Sequence, residues 1–212
     1  MIGLKEKIKQ YDTILIGIGS EWRSEDNPDI IAVYDMLYDE IKYKNFFIIT
    51  TVTDAKIYES SLGIAEGFFA PVKQIVAPCG NRTWRQCENS CTKDIWEPDE
   101  VSDGICPHCG APLIGNTIEA PDYIEEGYLP QWNHYLQWLS ATVNRPVLIL
   151  ELGVDLSVPT VVRFPFEKTA SFNNKAELIR INARFPQIPE ELHGRAVGIR
   201  ANSVEFIRFM QG

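Results

Sequence analysis

Solid apolar runs alternate along this chain with stretches of helical spacing. Thr13 to Gly17 is almost wholly apolar and runs into Gly17-Ile18-Gly19-Ser20. A short continuous run closed by glycines predicts a strand buried on both faces, followed by a tight turn. Ile30, Val33, Tyr34, Leu37 and Ile41 recur at three- and four-residue intervals, which predicts a helix over 30–42. Phe46 to Thr51 and Gln74 to Ala77 predict further strands, and Ala55 to Leu62 predicts a short helix stopped by Gly63. Beyond a loop-rich middle, Gln131 to Thr142 sets Trp132, Tyr135, Leu136 and Leu139 on one side of a helix. Pro146 to Leu152, ending in Gly153, predicts another buried strand. Thr160 to Phe164 reads as extended, Leu178 to Asn182 and Ala196 to Ile199 read as strands, and Ser203 reads as the N-cap of a last helix.

Strands alternating with helices predict an α/β fold: a Rossmann-like, doubly wound parallel sheet with helices on both faces. In such sheets ligands sit at the carboxyl ends of the strands. Four strand ends carry small or polar residues: Gly17, Gly19 and Ser20; Thr51 and Asp54; Gly153 and Val154; and Asn182. That layout predicts a site for a small-molecule nucleotide. The Gly-x-Gly turn lacks the third glycine of the common dinucleotide fingerprint, so a plain strand–helix turn is the competing reading. Asp54 and Asp155 each follow a strand, and either could bind ribose hydroxyls or cap a turn.

Five cysteines change the picture. Cys87-x3-Cys91 and Cys106-Pro-His-Cys109 are two close pairs separated by 14 residues. This spacing predicts four thiolates on one structural Zn²⁺. The acidic, loop-rich stretch between them has little apolar content, so a metal must hold it. The expected organisation is a Rossmann-like core over 1–78 and 110–212, with a zinc-binding module of 79–109 inserted in it. Cys79, followed by Gly80, stands outside both pairs. Net charge is −9, which argues against a nucleic-acid partner. No apolar run near the N-terminus is long enough to span a membrane. Lys5, Glu6, Lys7 and Lys9 occupy the place that a signal sequence would need. A cytoplasmic location is expected, where reduced thiols favour metal over disulfides.

Together these segments resemble the sirtuin family. The shared order is a glycine turn after the first strand, a Thr-rich turn ending in Asp, a residue–Gly pair, two cysteine pairs, a glycine turn and Ile-Asn. The tail is similar to the bacterial macrodomain-linked class M branch, through Glu151-Leu152-Gly153-Val154, Arg163-Phe164-Pro165-Phe166-Glu167 and Leu178-Ile179-Arg180-Ile181-Asn182. The resemblance implies NAD as substrate or ADP-ribose as ligand, and transfer of ADP-ribose or removal of an acyl group on a protein acceptor. It places Cys79 where the family keeps its catalytic histidine, Val52 where it keeps an asparagine, and Ile18 where it keeps an alanine. The cofactor loop and small helical domain of the family are largely absent between residues 20 and 45.

Cys79 is thus the candidate catalytic residue. A thiol serves as base or nucleophile only when nearby cations lower its pKa, and Arg82 and Arg85 are close in sequence. The competing reading is a small buried thiol filling the histidine's space. Trp22 either stacks on a base or covers the shortened edge. Three functions follow: an NAD-dependent transferase, a non-catalytic nucleotide sensor or protein-interaction module, and a structural subunit with a vestigial pocket. A shortened lid would expose apolar walls, which suggests a homodimer or a protein partner.

Overall fold

The computed structural model describes residues 3–64, 74–101 and 103–210. In chain order these hold α1 (Leu4–Gln10), β1 (Thr13–Ile18), α2 (Ile30–Ile41), β2 (Asn45–Thr50), α3 (Lys56–Glu59), α4 (Ser61–Ile64), β3 (Ile75–Val76), β4 (Gly80–Cys87), β5 (Leu113–Thr117), α5 (Leu129–Ala141), β6 (Val147–Leu152), α6 (Arg163–Phe172), β7 (Ala176–Ile181), β8 (Ala196–Ile199) and α7 (Ser203–Phe209). Six strands form one sheet in the order β3-β2-β1-β6-β7-β8, and every neighbouring pair is parallel. The fold is therefore α/β and Rossmann-like. The chain begins at the centre, walks to one edge through β2 and β3, then returns to β1 and walks the other way. The strand order reverses between β1 and β6, and a ligand crevice belongs at the carboxyl ends of that pair.

The two-residue alternation of strand side chains sorts the core. Ile14, Ile16 and Ile18 of β1, with Leu148, Leu150 and Leu152 of β6, pack with residues of α1, α2 and α7. Leu15 and Ile149 face the other way, among residues of α5 and α6. Gly17 also faces α6: a Cβ there would meet Val162 Cγ1 at 2.3 Å and a Phe166 ring carbon at 2.8 Å. Its missing side chain is what lets the helix seat.

Four expectations need correction. Thr160 to Phe164 is not extended: it leads into α6. Pro165 lies in the first turn of that helix, where a proline removes no helical hydrogen bond. Asn202, not Ser203, caps α7, its side chain accepting from the Glu205 amide. Ser203 is instead the first helical residue. The single helix over Ala55 to Leu62 is two short ones broken at Ser60, and Gly63 lies within the second rather than after it. Two elements were not anticipated: α1, and the antiparallel ribbon of β4 and β5. No helix among the described residues is long and apolar enough to cross a membrane.

Candidate nucleotide crevice and metal centre

Backbone packing builds the crevice. The Gly19 amide donates to the Leu152 carbonyl at 2.9 Å, the Thr51 amide to the Ile18 carbonyl at 2.9 Å, and the Gly153 amide to the Ile181 carbonyl at 2.9 Å. The turns after β1, β2, β6 and β7 are thus laced together. A Cβ on Gly19 would lie 2.3 Å from Val154 Cα, so these turns approach more closely than any side chain allows. Gly153 has φ 65°, a conformation glycine adopts without penalty. Over the turns lie two hollows of about 300 Å³ and 720 Å³. Ser20, Arg23, Asp155 and Ser157 line both, so they form one crevice along the strand ends.

Of the residues named from the sequence, Ser20, Thr51, Asp54 and Cys79 line the smaller hollow, and Ser20 and Asn182 line the larger. Gly17 lies inside β1 against α6, away from both. Gly19, Gly153 and Val154 supply the close contact between the β1 and β6 turns. The Asn182 side chain is fully engaged: its amide donates to the Val154 carbonyl, and its oxygen accepts from the Arg184 and Phe185 amides. The Asp54 carboxylate accepts from the Ser24 and Lys56 amides at 2.7 and 3.1 Å. Trp22 has no exposed surface. It donates to Ser203 Oγ and packs on Tyr34, so it cannot stack on a ligand. Glu21 beside it accepts from the amides of Ala183 and Ser203 and from the Ser203 hydroxyl.

Cys79 is 1% exposed. Burial, and then the negative charge of Asp155, push its thiol up to about 11. Neither arginine lowers it: Arg82 pairs with Glu25 at 2.8 Å, and Arg85 donates to the Arg82 carbonyl. The sulfur is a neutral thiol near pH 7. Asp155 behaves oppositely. Burial pushes its carboxyl up, but hydrogen bonds from the Ser157 hydroxyl and amide and from the Ser20 hydroxyl, with the Arg23 charge, more than offset this and leave it below the ordinary carboxylate value. The crevice therefore holds an ionised carboxylate beside a protonated thiol.

Sequence reasoning missed Arg23 and Ser157, which line both hollows, and a buried ionic network tied to the loop after β7. Glu151 and Arg180 are register partners on β6 and β7 and form a two-pronged pair at 2.7 and 2.8 Å. Arg180 also bonds Glu167 of α6, and Arg163 lies 3.7 Å from Glu151. Both arginines reach the loop after β7: Arg163 donates to the carbonyls of Phe185 and Gln187, and Arg180 to that of Gln187. The wall of the larger hollow is thus fastened to charges buried in the sheet.

The four paired cysteines converge. Their sulfurs all lie within 4.8 Å of one another, with Cys87–Cys109 at 3.5 Å and Cys91–Cys106 at 3.6 Å. Tetrahedral thiolates about 2.3 Å from Zn²⁺ stand about 3.8 Å apart, so the donor set fits a four-coordinate metal. The thiols share their protons unequally: the Cys91 amide, ahead of the other sulfurs, lowers Cys87 to about 6, while hydrogen bonding to Cys109, then burial and the other sulfurs, raise Cys91 well above its ordinary value. His108 turns away and meets Asp94 at 2.8 Å on the surface.

No protein-family profile matches this chain. A curated protein ADP-ribosyltransferase from Staphylococcus aureus is 23% identical to it over 175 residues, covering 77% of this chain and 55% of that protein. The chain spans about half the length of that relative.

Proposed function

We propose that this chain is a divergent sirtuin-like protein that binds NAD or ADP-ribose in the switch-point crevice and transfers ADP-ribose to a protein acceptor. The observation carrying this reading is that Cys79, Asp155, Ser20 and Thr51 share one hollow at the reversal of strand order. The similarity to a protein ADP-ribosyltransferase points the same way. In this reading the nicotinamide–ribose bond of NAD breaks, and the ribose carbon, positively charged as the leaving group departs, is taken by the acceptor. The ionised Asp155 stabilises that charge. Ser20, Thr51 and Asp54 hold the nucleotide, while Gly17, Gly19, Gly153, Val154 and Asn182 shape the turns. Cys79, protonated, fills space rather than acting as base. Cys87, Cys91, Cys106 and Cys109 hold a structural Zn²⁺ that takes no part in the chemistry, within a module of residues 79–109 set into a core of 1–78 and 110–212.

Calorimetry with NAD and with ADP-ribose tests the binding. Saturable heat is expected from at least one, and its loss in Ser20→Trp. No heat from either defeats the proposal. Nicotinamide release followed by chromatography tests the transfer: it is expected to persist in Cys79→Ala and to fall at least about tenfold in Asp155→Asn. The second reading is a nucleotide sensor without turnover. It is favoured by Cys79 being uncharged and Val52 offering no side-chain hydrogen bond, and it wins if ADP-ribose binds while no nicotinamide appears.

A further inference from the structure

A separate cavity of about 440 Å³ lies between the cysteine lobe and the sheet edge at β3. Tyr58, Trp84 and Tyr128 supply three aromatic walls, and Glu59 and Glu97 supply two carboxylates. No lysine or arginine is among the described residues that line it. Glu59 is engaged by Lys56 on the surface, an exposed pair that costs little to exchange. Gln131 adds an amide able to pair with a peptide group. Aromatic faces with nearby carboxylates attract organic cations, because the ring quadrupoles and the charges act together. We propose that this cavity receives a basic side chain, arginine or lysine, from a partner polypeptide. The field in the cavity agrees: burial first, and then the charge of Glu97, raise the Tyr58 hydroxyl above its ordinary value. Its volume exceeds what one cationic head group fills, within the usual range for ligand pockets, leaving room for adjoining main chain.

The cavity is distinct from the nucleotide crevice, and the assignment stands without it. Cys79 and Arg82 line the crevice, whereas Asn81 and Thr83 line this cavity. The wall between them is the start of β4, joined to the turn after β2 by the Arg82 amide donating to the Thr53 carbonyl at 2.8 Å.

The test follows the Trp84 indole resonance by NMR during titration of the full chain. The probes are N-acetyl-arginine methylamide, its uncharged isostere N-acetyl-citrulline methylamide, and ethylguanidinium. The arginine probe is expected to bind about tenfold tighter than the citrulline one and to shift the Trp84 signal. Glu97→Gln, a change at an exposed position, is expected to remove most of that preference, and Glu97→Asp to restore part of it. Equal affinity for the charged and uncharged probes, or a preference indifferent to Glu97→Gln, overturns the assignment. Ethylguanidinium binding as tightly as the arginine probe overturns the polypeptide source. A positive result without ADP-ribose binding removes only the crevice reading, and the reverse removes only this one.

Discussion

The parallel sheet and the cysteine lobe hold their loops in place by different means. Each central strand of the sheet is buried along almost its whole length, and the apolar area removed from water, at about 25 cal/mol per Å², supports the turns above it. The lobe has nothing of the kind. Among the described residues between Glu88 and Pro112, Cys106 alone is buried, and Ile105 is 40% exposed. Its order rests on two backbone bonds between Arg85 and Trp96, on the short β4–β5 ribbon, and on four convergent sulfurs. A site framed by both regions inherits one wall made robust by burial and another that rests on four thiols able to hold a metal.

Metal removal breaks this comparison most strongly. Structural zinc in such modules contributes on the order of 10 kcal/mol. Stripping it is expected to collapse the near-ultraviolet signal of Trp84 and Trp96 while the far-ultraviolet signal of the sheet persists. A metal-free chain with both signals intact would show the lobe to be self-supporting. Next comes the charge network inside the sheet. Glu151→Ala leaves the fully buried Arg180 without its two-pronged partner and is expected to cost about 3–5 kcal/mol in urea unfolding. A loss below 1 kcal/mol would mean that Glu167 alone suffices.

Gly19→Ala forces a methyl group against the Val154 backbone. A cost of about 2–4 kcal/mol is expected, with the crevice ligand weakened further; unchanged stability would mean that the turns can part freely. The smallest effect concerns pH. The folded Asp155 carboxyl titrates below its ordinary 3.8, so its stabilising contribution is complete above that value and is lost as the pH falls through the folded pKa. Against Asp155→Asn, the parent chain should therefore show a modest advantage at pH 6 that fades below about pH 4. An advantage that grew on acidification would reverse the sign assigned here.

The sheet was legible because buried parallel strands are continuous apolar runs: β1, β2, β6 and β7 fall within a residue or two of their predicted limits. The convergence of Cys87, Cys91, Cys106 and Cys109 was legible because two close pairs can fold back on each other. The site was legible only in part. Ser20, Thr51, Asp54 and Cys79 meet in one hollow because the strand ends that carry them are adjacent in the sheet. Trp22 was ambiguous, since nothing local distinguishes an indole that covers a helix start from one that waits for a ligand. The Glu151–Arg180 pair was invisible because the partners are 29 residues apart and only the register of β6 on β7 brings them together. α6 was missed because Pro165 reads as a breaker unless its place in the first turn is known. The ribbon was missed because Gly80-Asn81-Arg82-Thr83 has no apolar alternation; the lobe that follows organises it.

Residues at the start of β4 line both the crevice and the aromatic cavity, and Ala55 is held at φ 65°, a left-handed posture that costs a non-glycine residue about 1 kcal/mol. That posture sits at the start of α3, on the wall of the aromatic cavity. Relaxing that alanine to glycine would relieve the posture while taking one methyl group from the wall of the aromatic cavity.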